Sequence, residues 1–294
     1  MIMQEVIQYK PKNRRLLIDG DILVHMACWQ KPASKADLEE MEWRGASLKE
    51  IEAAKQTYQP SIEHAQDRFE HFVEHIFESH YIPEEKAVYS MAVGNSQDNF
   101  RKKIHPEYKL QKARATSNKK RAPYIDELRF WAVDVFDAHY CQGYEADDAI
   151  GVWATKLGED NYVVVTVDKD LDMIPGYHLD PKTEVNAKRR WHVNEEQADI
   201  FFWKQMLTGD SIDNIPGIEG IGPIKAGKIL SGLTTPQEHK EVVVSKYGLK
   251  YGNEGFKKLL FNGSLLHIWR TKGDIWTFDP EEYEEITNSH AVIV

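Results

Sequence analysis

The stretch "NYVVVTVDKDLDMIPG", residues 161–176, limits the fold most: an apolar strand breaks abruptly into Asp168, Asp170 and Asp172. The same form occurs in "RRLLIDGD", where Leu16, Leu17 and Ile18 lead into Asp19 and Asp21. Between them "SIEHAQDRFEHFVEHIFESHYIP" reads as an amphipathic helix, with Ile62, Ala65, Phe69, Phe72, Val73 and Ile76 on one side and Pro83 past its end. "KAVYSMAV" reads as a second strand followed by the polar break "GNSQDN", and "AVDVFDAHYCQ" as a third strand, or a helix and a strand. Residues 31–60 are polar and read as helical, and "DDAIGVWATKLGED" as a helix stopped near Gly158. Strands alternating with helices predict an α/β fold with a mainly parallel central sheet flanked by helices. From about Trp191 the pattern turns helical, with "EEQADIFFWKQMLTG", a glycine-rich turn and a further helix. The expected division is a core over residues 1–192 and a helical region over 193–294.

Of the 294 residues, 41% are hydrophobic and 29% charged, enough for one large domain or two modest ones. The first residues carry no apolar stretch of signal-peptide type, and no run approaches the ~18 apolar residues of a membrane span. Cys28 and Cys141 have no motif spacing, so two buried thiols in a reducing cytoplasm are expected. A net charge of −10 argues at first against a nucleic-acid partner. Its distribution argues otherwise. Between Arg101 and Arg121 stand nine Lys or Arg against one acid, Glu107, leaving 28 bases and 46 acids elsewhere. Such a strip suits phosphate binding with counterion release, and an interleaved aromatic such as Tyr108 suits stacking on an unpaired base. A solvated loop is the plainer reading of the same charges.

Each acidic group also has a plain reading. Glu145, Asp147 and Asp148 in "QGYEADDAIGVWA" suit the positive end of a helix dipole, and Asp19, Asp168, Asp210 and Asp213 suit turns or caps. Together they say more. In a parallel sheet the strand carboxyl ends share one edge, where ligand crevices lie. Asp19, Asp168 and Asp170 should project there, and the helix start delivers Glu145 and Asp148 to the same place. Converging carboxylates raise one another's pKa, which divalent cations relieve. Oxygen ligands without nearby His or Cys favour Mg²⁺ or Mn²⁺, and two such ions about 4 Å apart suit phosphodiester chemistry.

The segments "LLIDGD", "GYEADDAIG", "VVVTVDKDLD" and "LTGDSIDNIPGIEGIG" resemble, in order and spacing, the 5′-nuclease family of flap endonucleases and 5′→3′ exonucleases. With its C-terminal "LLHIWRTKGDIWTFDP" the chain looks most like the T7-type bacteriophage exonucleases. The resemblance implies a PIN-like core and metal-site acids at Asp19, Glu145, Asp147, Asp148, Asp168, Asp170, Asp210 and Asp213. Asp172 falls outside that set. The family usually carries an Asp just after the strand matching "VYSMAV"; here Gly94 stands there, with Asn95 and Asp98 nearby. Either Asp98 substitutes or the site is one ligand short.

By the same resemblance the basic segment, about residues 96–125, is an arch over the active site. Lys109 and Lys112 then orient the scissile phosphate, with Arg114 as a stand-in because relatives often carry Arg where Lys112 stands. Arg101, Tyr108 and Arg114 are expected to touch DNA. Gly217, Gly220 and Gly222, followed by Lys225 and Lys228, resemble a helix-hairpin-helix-type motif over about residues 197–232. It implies sequence-independent grip on a duplex backbone and a K⁺ held by the Gly217–Gly222 turn.

Two motifs lead elsewhere. "GPIKAGKI" nearly matches a phosphate-binding loop, but Ile229 occupies the Ser/Thr position and no apolar strand precedes it. "HFVEH" matches a zinc-peptidase pattern, yet His64, His71, Glu74 and His75 lie opposite the apolar helix face. The resemblance therefore implies a Mg²⁺-dependent 5′→3′ exodeoxyribonuclease with flap endonuclease and RNase H-type activity on RNA–DNA hybrids. A DNA-binding protein of the same fold with weakened catalysis is the alternative, and Gly94 is its support.

Overall fold

Side chains alternate across a strand, and in β1 (Arg15–Asp19) that alternation builds two cores at once. Leu16 and Ile18 enter one buried cluster, whereas Leu17 enters another on the opposite face. The computed structural model describes residues 14–29, 35–55, 61–79, 88–110, 124–182 and 190–291. β1 joins β2 (Tyr89–Asn99), β3 (His139–Gly143), β4 (Tyr162–Val165), β5 (Gly176–Leu179) and β6 (Arg190–Val193) in the order β3-β2-β1-β4-β5-β6. Five strands run parallel, and β6 pairs antiparallel with β5. Every residue of β4 is buried, which suits a parallel strand covered on both faces.

Helices α1 (Gly20–Cys28), α2 (Lys35–Trp43), α3 (Leu48–Ala54) and α4 (Ile62–Ser79) follow β1. α5 (Phe100–Ile104) follows β2, α6 (Ile125–Phe136) precedes β3, and α7 (Ala146–Leu157) joins β3 to β4. One face of the sheet packs under Leu23 and Val24 of α1, Phe69 and Ile76 of α4, and Leu128 of α6. The other packs under Ala149, Ile150 and Ala154 of α7. Both cysteines are buried free thiols.

One segment differs from expectation. β2 does not stop at "SMAV" but runs on through "GNSQDN" to Asn99, with its register against β3 shifted between Gly94 and Asn99. Pairing of Asn99 with Gly143 continues the ladder past polar side chains, and Asn99 then caps α5 by accepting from the Arg101 N–H at 2.9 Å. Backbone pairing here overrides composition.

The C-terminal region contains α8 (Glu195–Thr208), α9 (Pro223–Leu230), α10 (Pro236–Tyr251), α11 (Gly255–Leu266) and α12 (Pro280–Ala291). Its cluster includes Met206, Val243, Tyr247 and Leu259, and Tyr108 from the segment after α5 is buried in it. The chain beyond α11 returns to α7. Gly151 makes that approach possible, because a Cβ there would stand 2.3 Å from the Trp269 carbonyl oxygen.

Candidate active site

β1 and β4 end side by side, and Thr166 ties the Asp19 carboxylate to the turn that carries Asp168. Asp19 is buried; one oxygen accepts from the Ile22 N–H at 3.2 Å, capping α1, and the other from the Thr166 hydroxyl at 3.0 Å. Thr166 in turn accepts from the Asp168 N–H, and Asp168 from the Asp170 N–H, each at 2.9 Å. These turn contacts hold the acids at the carboxyl edge of the sheet, as the strand endings predict.

Glu145, Asp147 and Asp148 stand at the start of α7, but they do not act alike. Glu145 and Asp147 line a cleft of about 20 Å³ with Asp170, Asp210 and Asp213, room for about one water. Asp148 is fully buried and is not among the residues that line it. Its carboxylate caps the helix by accepting from the Glu145 N–H at 3.0 Å and receives both Arg101 Nη atoms, at 2.7 and 2.9 Å. Trp269 N–H adds a further contact at 3.2 Å. The expectation that Asp148 faces the cleft is corrected: a bidentate guanidinium already occupies both oxygens.

Arg101 and Tyr108 need the same correction, since both are buried rather than offered to DNA. Besides Asp148, Arg101 donates to the carbonyls of Leu265 at 2.9 Å and His267 at 2.6 Å, and lies 3.1 Å from Glu145. The Tyr108 hydroxyl lies 2.9 Å from Glu145 and 3.0 Å from Asp213, able to donate to either. Lys109 stands beside Glu145 and Asp213. Its backbone is left-handed, with φ 56°, and its N–H donates to the Asp213 carbonyl at 3.0 Å. Its ammonium is 2.6 Å from Glu145 and 3.7 Å from Asp213, with 39% of the side chain exposed. Lys112 and Arg114 lie outside the described residues.

Across the cleft, Lys169 donates to Asp210 at 2.6 Å and Asp170 at 3.2 Å, and Gln205 donates to Asp170 at 2.6 Å. The electrostatics divide the acids. Burial pushes Asp19 up to about 7, helped by repulsion from Asp21 and Asp168. Burial, with repulsion from Asp19 and Asp168, also raises Asp147 well above the carboxylate range. Asp213 rises to about 6 through burial, which outweighs Lys109, with Glu145 adding to the rise. Burial would lift Glu145 too, but Lys109 and Arg101 prevail and hold it at about 2.

Asp98 does not fill the place beside Gly94. Its side chain is exposed and 3.7 Å from Lys103, whereas Gly94 is met by Asp21, whose Oδ2 accepts its N–H at 2.9 Å. In the glycine-rich turn Gly217 and Gly220 have φ of 62° and 83°, and Gly222 caps α9, which leaves Lys225 and Lys228 exposed. His64, His71 and Glu74 are exposed along α4, so the zinc-peptidase pattern lies on its outer face.

Among the described residues no three His, Cys, Asp or Glu side chains already surround one point as a metal shell. Lys109 and Lys169 stand between the acids instead. The donor set still suits hard divalent cations: all oxygen and partly buried, with Asp19, Asp147, Asp170 and Asp213 raised first by burial and then by neighbouring carboxylates. Mg²⁺ in particular binds through few carboxylates and several waters, so a closed protein cage is not required.

Fold and site together define an α/β protein with an acidic crevice at the carboxyl edge of its parallel sheet. Residues 15–176 match the family described as "5′-3′ exonuclease, N-terminal resolvase-like domain", and the chain belongs to it. It is 33% identical over 142 residues to a 5′-3′ exonuclease of Aquifex aeolicus, covering 44% of this chain and 47% of that protein. A 5′-3′ exonuclease of Mycoplasma pneumoniae is 31% identical over 152 residues, 46% of this chain and 50% of the relative. Thus the match spans about half the length of these exonucleases. The thermostable DNA polymerase I of Thermus aquaticus is 36% identical over 95 residues, 30% of this chain and 11% of that protein. Among solved structures, T5 5′-exonuclease with bound zinc covers 95% of this chain and 99% of its own, at 15% identity and a TM-score of 0.48. That score is too low to bear on function.

Proposed function

We propose that this protein is a divalent-metal-dependent 5′→3′ deoxyribonuclease acting at duplex ends, nicks or 5′ flaps. The observation that carries the reading is the meeting of Glu145, Asp147, Asp170, Asp210 and Asp213 around one small cleft, with the Lys109 ammonium at its mouth. Mg²⁺, or Mn²⁺ in its place, bound by these acids with Asp19 and Asp168, would supply the charge that activates water and offsets the leaving oxygen. Lys109 orients the scissile phosphate as its ion pair with Glu145 opens. Arg101 and Asp148 fix the start of α7 so that Glu145 and Asp147 keep their aim.

The exposed Lys225 and Lys228 hold the duplex through its backbone, beside the Gly217–Gly222 turn where K⁺ is taken up. Backbone grip of this kind admits RNA–DNA hybrids as well as DNA, and suits a role in phage DNA replication, recombination or host DNA degradation. Among the described residues no helix is long and apolar enough to cross a membrane; we place the protein in the cytoplasm.

The test uses 5′-labelled duplex and flap substrates with Mg²⁺ or EDTA. Wild type is expected to cut only with the metal, and Asp147→Asn to bind the same substrates without cutting. Intact substrates in the presence of both Mg²⁺ and Mn²⁺ would sink the nuclease reading and leave a DNA-binding protein with weakened catalysis.

A further inference from the structure

The acids at the sheet edge come from the ends of β1 and β4 and from the start of α7, while β2, the neighbour of β1 on its other side, contributes none. Gly94 stands on β2 two residues beyond Ala92, which pairs with Asp19. The space a side chain would take there is already filled. A Cβ on Gly94 would stand 2.9 Å from Asp21 Oδ2, 3.3 Å from the Ala146 nitrogen and 3.7 Å from the Glu145 Cα. Thus the Asp21 carboxylate reaches over from the first turn of α1 to the Gly94 backbone, beside the start of α7, and its charge acts on Asp19. Two donors fix it there: the Gly94 N–H on Oδ2 at 2.9 Å and Arg129 Nε on Oδ1 at 2.8 Å. Arg129 is buried on α6 and also pairs with Asp126 at 2.9 Å, so its orientation is set from both sides. The Asp21 side chain is nevertheless 24% exposed, with lone pairs left for a cation or its waters.

We propose that Asp21 supplies the carboxylate that β2 lacks, and that position 94 is glycine because Asp21 occupies the space of its side chain. The assignment rests on the metal-dependent reading above. It makes the two positions interchangeable: one carboxylate is needed beside the start of α7, and it can come from α1 or from β2 but not from both. A role confined to holding Arg129 predicts something different, since that role concerns stability and leaves metal affinity alone.

Mn²⁺ titration followed by electron paramagnetic resonance separates these roles without reference to cleavage. Wild type is expected to bind Mn²⁺, and Asp21→Asn to bind it roughly 10–100-fold more weakly, as when a metal site loses a supporting carboxylate. The double variant Asp21→Gly/Gly94→Asp, which moves the carboxylate to β2, is expected to recover most of that loss. Thermal melting without metal accompanies each titration, and if Asp21→Asn is unfolded the double variant decides. Wild-type affinity in a folded Asp21→Asn, or a double variant no better than one lacking the carboxylate, overturns the assignment while the nuclease reading stands. Absence of Mn²⁺ binding and of cleavage in wild type removes both.

Discussion

Arg101 shows how far a residue's role depends on partners distant in sequence. Its guanidinium holds Asp148, Leu265 and His267, none within 40 positions of it, so "NFRKKI" looks like surface charge until the chain is folded. Breaking a buried pair leaves an uncompensated charge, and here both partners are almost wholly buried, at 3% and 0% exposure. Arg101→Ala is therefore expected to cost about 3–5 kcal/mol in urea unfolding. Arg101→Lys should recover little, because an ammonium cannot reproduce two parallel contacts on one carboxylate. Lys109 differs in kind. It is partly exposed and pairs with Glu145, so Lys109→Ala should reduce cleavage about 10²–10³-fold, as loss of one charge-stabilising donor does. Duplex affinity should change little in a filter-binding assay; an equal loss in both would make Lys109 a general DNA contact instead.

Elements were more legible than contacts, for a physical reason. Periodicity is written locally, so β1, β4, α4, α7 and the α8–turn–α9 segment lie where apolar spacing and Gly158 place them. β2 runs past its apolar residues because Asn99 still pairs with Gly143, which a polar stretch of sequence does not signal. In the site, acids at strand ends were legible through the parallel topology, which puts Asp19, Asp168 and Asp170 on one edge. A capping carboxylate and a ligand carboxylate look alike in sequence, and only the Arg101 contact shows that Asp148 is held as a cap. Tyr108, a phenol within a basic segment, resembles a stacking ring in sequence, although the ring is buried and its hydroxyl faces Glu145 and Asp213. Thr166 and Asp21 lie inside the motif segments, but nothing in the sequence marks their contacts, and Gln205 lies in none. α9 offers the test at this scale. Lys225 and Lys228 are exposed on a helix whose start follows a glycine turn. If both neutralise phosphates, Lys225→Ala/Lys228→Ala lowers the slope of log affinity against log salt by about 2. An unchanged slope would place the duplex elsewhere.

For the whole molecule, the acidic crevice ties stability to pH and to divalent cations. Asp19 at about 7, Asp213 at about 6 and the raised Asp147 keep protons in the folded state that the unfolded chain has shed by about pH 5. Where the folded state binds more protons, stability falls as pH rises, so these groups weaken the metal-free protein across about pH 4 to 7. Glu145, depressed to about 2, has the opposite sign, but its contribution is complete above the unfolded value and is lost only as pH falls toward 2. His139 and His267, lowered by burial, add stability as pH rises through the ordinary histidine range and partly mask the trend. The measurement is accordingly a difference. In EDTA, Asp19→Asn should gain melting temperature relative to wild type as pH rises from about 5 to 8, because the variant no longer carries the charge that wild type must bury. Mg²⁺ takes the place of the protons, so its effect must grow in the same direction. It should raise the wild-type melting temperature more at about pH 8 than at about pH 5, and raise that of Asp19→Asn less. A Mg²⁺ shift independent of pH, and equal in the two proteins, would mean that the cation binds outside the crevice.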